Sequence, residues 1–208
     1  AAIKQGYEVH LVCSCTDKLK DLEEKGVIVH PLALSRGGTN IFEELKTFVQ
    51  IYQVIKKIAP DVIHAVTIKP VLYGNIAAKI LNVPNRVASI SGLGYVFIAS
   101  GIKSKILRTL ISVIYRFSLS GAKTVIFQNE SDRDVLKRMG AVQPEQEVFI
   151  RGSGVALGEY LVQAEPSVAP VVLLVARLLI DKGVNEFVSA AKMLKSIRPD
   201  IRMVLVGD

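Results

Sequence analysis

Tryptophan is absent from this 208-residue sequence, and aromatic residues make up only 6% of it. Aromatics do not interleave with the basic residues and no nucleic-acid-binding module is visible, which sets nucleic acid aside as a partner. Cysteine is scarcer still. Cys13 and Cys15 form a lone C-x-C at a strand end, and the three histidines are scattered. Two thiols do not complete a tetrahedral zinc site, so no metal site is read here, and the pair reads as reduced thiols of a cytosolic protein. Half of the residues are hydrophobic and the mean hydropathy is +0.37, yet no run of eighteen apolar residues occurs. That argues against a membrane-spanning helix, and no cleavable signal peptide is visible. There is no internal repeat, no low-complexity tract, and no G-x-G-x-x-G after a strand.

What is present is charge of one sign and short apolar runs. The net charge of +7 and pI near 9.4 favour anionic partners such as nucleotide phosphates or an acidic membrane surface. The apolar content suits parallel strands buried on both faces. Residues 1–5 read as the last turn of a helix capped by Gly6, followed by a strand over Tyr7–Cys13. Residues 17–25 read as a short charged helix and Val27–Pro31 as a strand. Ile41–Ile58 is a helix with apolar positions at Phe42, Leu45, Val49, Tyr52 and Ile55, stopped by Pro60 and Asp61. Asp61–Val66 is a strand, and Pro70–Leu81 a helix with proline in its first turn. A strand at Arg86–Ile90 runs into the turn Ser91–Gly94. A helix over Ile102–Ser120, a strand at Lys123–Phe127, a helix over Glu130–Met139 and a strand at Glu147–Ile150 follow. This alternation predicts an α/β fold with a doubly wound parallel sheet. Residues 153–170, rich in glycine and proline, read as a linker between a first domain at 1–152 and the start of a second at 171–208.

The second domain opens on Val171–Ala176, an apolar run of buried-strand length. Arg177, Lys182 and Gly183 follow, and then a helix with apolar positions at Val184, Phe187, Val188, Ala191 and Leu194. Two cations and a helix N-terminus at a strand's carboxyl end make a diphosphate site; an ordinary loop with solvated charges gives the same pattern. Residues 102–120 are both basic and amphipathic. Lys105, Arg108, Ser112 and Arg116 lie along one side, and Ile106, Leu110, Val113 and Phe117 along another. The apolar stripe packs on the sheet, or the helix docks on an anionic bilayer with Lys103, Lys105 and Arg108 facing it.

Five stretches in order carry a resemblance: DVIHAVTIKPVLYGNIAAK (61–79), ISGLGYVF (90–97), VIFQNESDRD (125–134), GSGV (152–155) and VARLLIDKGVNEFVSAAKML (175–194). The chain resembles the retaining GT-B glycosyltransferases of family 4, of the bacterial kind that assemble capsular polysaccharide, lipopolysaccharide O-antigen and other lipid-linked glycans. The resemblance implies two Rossmann-like domains, acceptor on the first and nucleotide sugar on the second, with no metal or other cofactor. It implies an enzyme moving a hexose or N-acetylhexosamine from a nucleotide diphosphate sugar, a UDP-sugar by preference, to a polyprenyl-diphosphate-linked acceptor with retention. Arg177 and Lys182 fall on the pair that stabilises the leaving diphosphate, with Gly183, Gln128 and Asn129 also on the donor side. Asn129 equally suits a helix cap. His64, Lys69, Ser91, Gly92 and Gly94 fall on the acceptor side, His64 also as a catalytic candidate. Some relatives have a histidine near Ser91 and an acid where Ala156 stands. The implied location is cytoplasmic, on the inner face of the plasma membrane. The implied extent is a fragment, lacking the first domain's first strand and most of the second domain, and inactive alone. A Rossmann-fold nucleotide-sugar epimerase or dehydrogenase, or a non-catalytic two-domain sugar-binding protein, are the competing readings.

Overall fold

The computed structural model describes residues 1–14, 19–32, 40–93, 102–152, 154–165 and 167–207, with the backbone alone at 102–107 and 159. The chain divides into two compact units, Ala1–Gly154 and Val155–Asp208. In the first unit the elements run β1 (His10–Cys13), α1 (Leu19–Glu24), β2 (Ile28–Pro31), α2 (Ile41–Ile58), β3 (Val62–Val66), α3 (Asn75–Ile80) and β4 (Asn85–Ile90). They continue with α4 (Ile102–Leu119), β5 (Thr124–Phe127), α5 (Glu130–Arg138) and β6 (Glu147–Phe149). β1 pairs with β2, and β3, β4, β5 and β6 form a ladder in that order, every pairing parallel. The predicted α/β class with parallel strands is therefore borne out. Gly6 takes the left-handed conformation (φ 85°) that ends the opening turn Ile3–Gln5. Cys15 lies outside the described residues.

Helix α2 starts where Asn40 accepts from the Phe42 N–H at 3.1 Å, and it ends at Ala59. Its buried face differs from the expected stripe. Of the apolar positions, Tyr52 and Ile55 turn inward, while Phe42 is 84% and Leu45 59% exposed and Val49 is also outward. The inward row is Thr47, Ile51 and Ile55. Thr47 is tolerated there because its hydroxyl donates to the Glu43 carbonyl at 2.9 Å, inside the helix.

Helix α4 is inverted in the same sense. Of the two readings of its apolar stripe, packing on the sheet is not met for Leu110, Val113 and Phe117, which face outward, and Tyr115, Ser118 and Leu119 are buried instead. Ser118 is tolerated because its hydroxyl donates to the Val71 carbonyl at 2.8 Å. The carboxyl end of α4 is closed by side chains from other elements. Buried Arg86 of β4 donates to the Ser120 carbonyl at 3.0 Å and the Ser118 carbonyl at 3.4 Å. Gln146 donates to the Leu119 and Ala122 carbonyls at 3.0 and 2.6 Å. A cation at a helix carboxyl end also meets the negative end of its dipole. No carboxylate neutralises Arg86 among the described contacts, so backbone dipoles hold this buried charge.

The second unit holds β7 (Val171–Val175), α6 (Val184–Ile197) and β8 (Arg202–Val206), with β7 and β8 parallel. Burial of β7 on both faces is not met: four of its five residues are exposed. One strand–helix–strand unit has a single helix, α6, to cover its sheet. Val184, Phe187, Ala191 and Leu194 are half-buried, Val188 is exposed, and no described residue of this unit is fully buried.

Candidate functional site

In open parallel sheets ligands bind at the carboxyl ends of the strands, and there β3 and β4 place His64, Ser89, Ser91 and Gly92. His64 is exposed on β3, and its Nε2 shares a hydrogen bond of 2.7 Å with the Ser89 hydroxyl. Thr67 follows β3 with φ 73°, a left-handed conformation that a β-branched residue rarely adopts. Its N–H donates to the Ser89 carbonyl at 3.3 Å. Ser91 is exposed, Gly92 is half-buried with φ 143°, and Gly94 lies outside the described residues.

Lys69 precedes a wide π-helical turn, Pro70–Gly74, that leads into α3. Its ammonium donates to Glu44 Oε1 at 2.5 Å, and the Tyr73 hydroxyl donates to Glu44 Oε2 at 2.6 Å. Burial pushes the Tyr73 hydroxyl pKa up, as does the Glu44 carboxylate beside it. Burial acts to raise the Glu44 pKa, but the hydrogen bonds from Lys69 and Tyr73 outweigh it and leave the group below its ordinary value. Lys69 thus enters the site as half of an ion pair, and an arriving anion must compete with a carboxylate. Glu44, Tyr73 and Ser89 are functional candidates that sequence reasoning missed. The one signal for Glu44 was an acid in the first turn of a helix, which the helix dipole alone explains.

A depressed carboxylate pKa stabilises the fold above the unfolded value, and that stability is lost as pH falls through the folded value. The clamp is therefore expected to weaken as pH drops below the ordinary 4.5 of Glu44. Glu44→Gln is expected to flatten the acid limb of a circular-dichroism titration. An unchanged acid limb would show that the clamp contributes nothing.

In the second unit, Arg177 lies two residues past the end of β7, and its side chain is exposed with no ion-pair partner among the described residues. Lys182 closes the turn Ile180–Lys182, and its only described ion pair is a long one, 3.8 Å to exposed Asp181. Gly183, at φ 77°, joins that turn to α6, whose first turn has no side-chain cap. Two exposed cations and uncapped N–H groups thus sit within a few residues of each other along the chain. In the first unit, Gln128 is half-buried after β5, while Asn129 is occupied as the cap of α5. It accepts from the Asp132 N–H at 2.8 Å and donates to the Asp132 carboxylate at 2.7 Å.

Of the cations named on α4, Arg108 is half-buried and in contact, and the Lys103 and Lys105 side chains lie outside the described residues. Charge is nonetheless sharply partitioned. Residues 62–129 contain eight Lys and Arg and no Asp or Glu, whereas the rest of the chain has 18 basic against 19 acidic residues. Among the described residues, no helix is long and apolar enough to cross a membrane, and no group of His, Cys, Asp and Glu is placed to hold a metal.

Residues 1–129 match the family described as glycosyl transferase 4-like. A Campylobacter jejuni protein named N,N'-diacetylbacillosaminyl-diphospho-undecaprenol alpha-1,3-N-acetylgalactosaminyltransferase is 34% identical over 205 residues, covering 92% of this chain and 53% of the relative. An Escherichia coli protein named UDP-Gal:alpha-D-GlcNAc-diphosphoundecaprenol alpha-1,3-galactosyltransferase is 21% identical over 215 residues, covering 97% and 54%. The chain thus spans about half the length of the curated relatives it matches. The crystal structure of a glycosyltransferase from Rickettsia africae shares the fold, with a TM-score of 0.63 at 17% identity over 99% of this chain and 54% of that one. With the match extending over more than half of its residues, the chain belongs to the glycosyl transferase 4-like family.

Proposed function

We propose that this chain carries the acceptor-binding part, and the start of the donor-binding part, of a glycosyltransferase that acts on a polyprenyl-diphosphate-linked sugar. The observation that carries this reading is similarity along nearly the whole chain to two proteins named for transfer onto diphospho-undecaprenol sugars. The donor is a nucleotide diphosphate hexose or N-acetylhexosamine, UDP-linked, and transfer retains the anomeric configuration. As the bond between sugar and diphosphate breaks, negative charge grows on the departing nucleotide. Arg177 can fork onto two phosphate oxygens, Lys182 adds a point charge, and the α6 N-terminus at Gly183 adds its dipole. Fixed cations of this kind stabilise a leaving group without a divalent metal. On the acceptor side, Lys69 exchanges Glu44 for the acceptor diphosphate. The Ser91–Gly92 turn lets backbone approach the acceptor sugar, and His64, held by Ser89, orients its hydroxyl.

The reading is tested by thermal shift in EDTA. UDP is expected to stabilise the chain, with NAD and free galactose without effect. Arg177→Ala and Lys182→Ala are each expected to weaken UDP binding about 10–100-fold, since a charge-assisted hydrogen bond contributes about 1.5–3 kcal/mol. A response to NAD without one to UDP overturns the proposal.

The acid-free segment 62–129 and the outward Leu110, Val113 and Phe117 of α4 support a second component, peripheral attachment to the anionic inner face of the plasma membrane. Each Lys or Arg near such a surface contributes about 1 kcal/mol, screened by salt. Binding to phosphatidylglycerol-containing vesicles is expected to fall steeply with added NaCl. If replacing Lys103, Lys105 and Arg108 together by glutamate leaves vesicle binding intact, the attachment is refuted.

A further inference from the structure

Glu44 is gripped by two partners that are themselves held very differently. The Tyr73 ring packs against both buried clusters of the first unit. It also meets Phe48 edge to face, with ring centroids 6.3 Å apart and planes at 84°. Phe48 stands one helical turn beyond Glu44 on α2, so the same helix fixes the ring and carries the carboxylate that its hydroxyl grips. Moving that hydroxyl would mean unpacking the ring. The Lys69 ammonium sits on a flexible four-carbon stem and is 24% exposed, so it can turn while its backbone stays.

An anion that draws Lys69 away therefore leaves Glu44 in place against Tyr73. The carboxylate, 20% exposed, then loses its cation and gains a negative neighbour. Both changes favour the neutral acid. Lys69 and Tyr73 are the charged and titratable groups that face Glu44 among the described residues, and together they outweigh its burial. Only Tyr73 remains after the exchange, and the dipole at the α2 N-terminus acts alike before and after.

We propose that Glu44 is a resident competitor for the Lys69 ammonium, and that it takes up a proton when a diphosphate displaces it. Tyr73 is the residue that positions it for recapture. The proposal rests on the reading that Lys69 takes the acceptor diphosphate. One proton passes from solvent to Glu44 Oε1, the oxygen that Lys69 leaves, while Oε2 keeps accepting from Tyr73; no other bond forms or breaks. The proton removes a negative charge from beside the bound ligand. In the reverse step Glu44 releases the proton and recaptures Lys69. Sugar transfer leaves the lipid-linked diphosphate unchanged, so product and acceptor would hold Lys69 alike. A built-in competitor helps such a product leave.

The test is isothermal titration calorimetry with symmetrical dimethyl diphosphate, a diester whose two charges stay constant between pH 5 and pH 8. Buffers of different ionisation enthalpy count the protons taken up. Binding that survives in Lys69→Met belongs to Arg177 and Lys182 and is the baseline. Above it, the unmodified chain is expected to take up protons on binding and to bind severalfold tighter at pH 5 than at pH 8. Glu44→Gln is expected to bind about tenfold tighter at pH 8, because a neutral amide holds the ammonium less firmly than a carboxylate. Its proton uptake is expected to fall. Tyr73→Phe is expected to bind more weakly at pH 8, with uptake extending to higher pH, since the carboxylate then has Lys69 to itself. His64, also on the acceptor side, is present in every variant and cancels in the comparison. A merely structural clamp would move both variants the same way, and that result overturns the proposal. Unchanged affinity and proton uptake in Glu44→Gln also overturn it, while the Lys69 site stands. If Lys69→Met binds like the unmodified chain, the Lys69 site falls and the proposal with it.

Discussion

Arg86→Met is expected to lower the stability of the first unit by about 2–4 kcal/mol, because hydrogen bonds from a charged donor contribute about 1.5–3 kcal/mol each. The methionine keeps much of the apolar stem and the volume, so the loss reports the guanidinium rather than a cavity. Without it, the Ser120 carbonyl loses a 3.0 Å partner and the Ser118 carbonyl a longer one of 3.4 Å. Desolvation already lowers the Arg86 pKa, so the protein bears the cost of burying this cation, and the carbonyls of α4 must offset it. Gln146 still holds the Leu119 carbonyl, so α4 should fray at its last turn and not melt outright. Urea unfolding measures the loss, and Arg86→Lys should recover part of it. A loss below about 0.5 kcal/mol would show that water replaces the guanidinium without penalty.

Gly207→Ala is expected to unfold the second unit. A Cβ at this position would overlap the Ala176 carbonyl oxygen and lie 2.9 Å from its carbon. The obstacle is backbone, so no rotamer change relieves it, and β8 must pull away from the end of β7. The Ala176 N–H donates to the Val206 carbonyl at 3.0 Å beside it, and that bond would go as well. Overpacking of this kind costs about 1–3 kcal/mol, and more where nothing yields. With no fully buried residue among its described ones, this unit has little stability to spare against that cost. Two-dimensional NMR should show the signals of residues 171–207 collapsing while those of 1–152 stay. An intact second unit in the variant would mean that the strand ends part without loss.

Local punctuation made most elements legible in the sequence. Helix α2 spans Ile41–Ile58 as predicted and stops before Pro60, Gly6 ends the opening turn, and Pro70 marks the helical segment after β3. Helix faces were not legible, because polarity was a poor guide to direction. Thr47 and Ser118 are buried after bonding carbonyls, one four residues away and one 47 residues away. The apolar residues they displaced from the inward face, Leu45 and Phe117 among them, face out. The Glu44 clamp was hidden for a related reason. Its partners lie 25 and 29 residues along the chain, and nothing in their local pattern links them.

The partition of charge affects how the chain meets a surface before any contact forms. All of the net charge resides in residues 62–129, and the remainder nearly cancels. Near an anionic plane the pull therefore acts on residues 62–129, while the rest of the chain is nearly indifferent to it. That pull is felt only over the last Debye length, about 8 Å at physiological salt. Ionic strength should therefore change how often an encounter is productive.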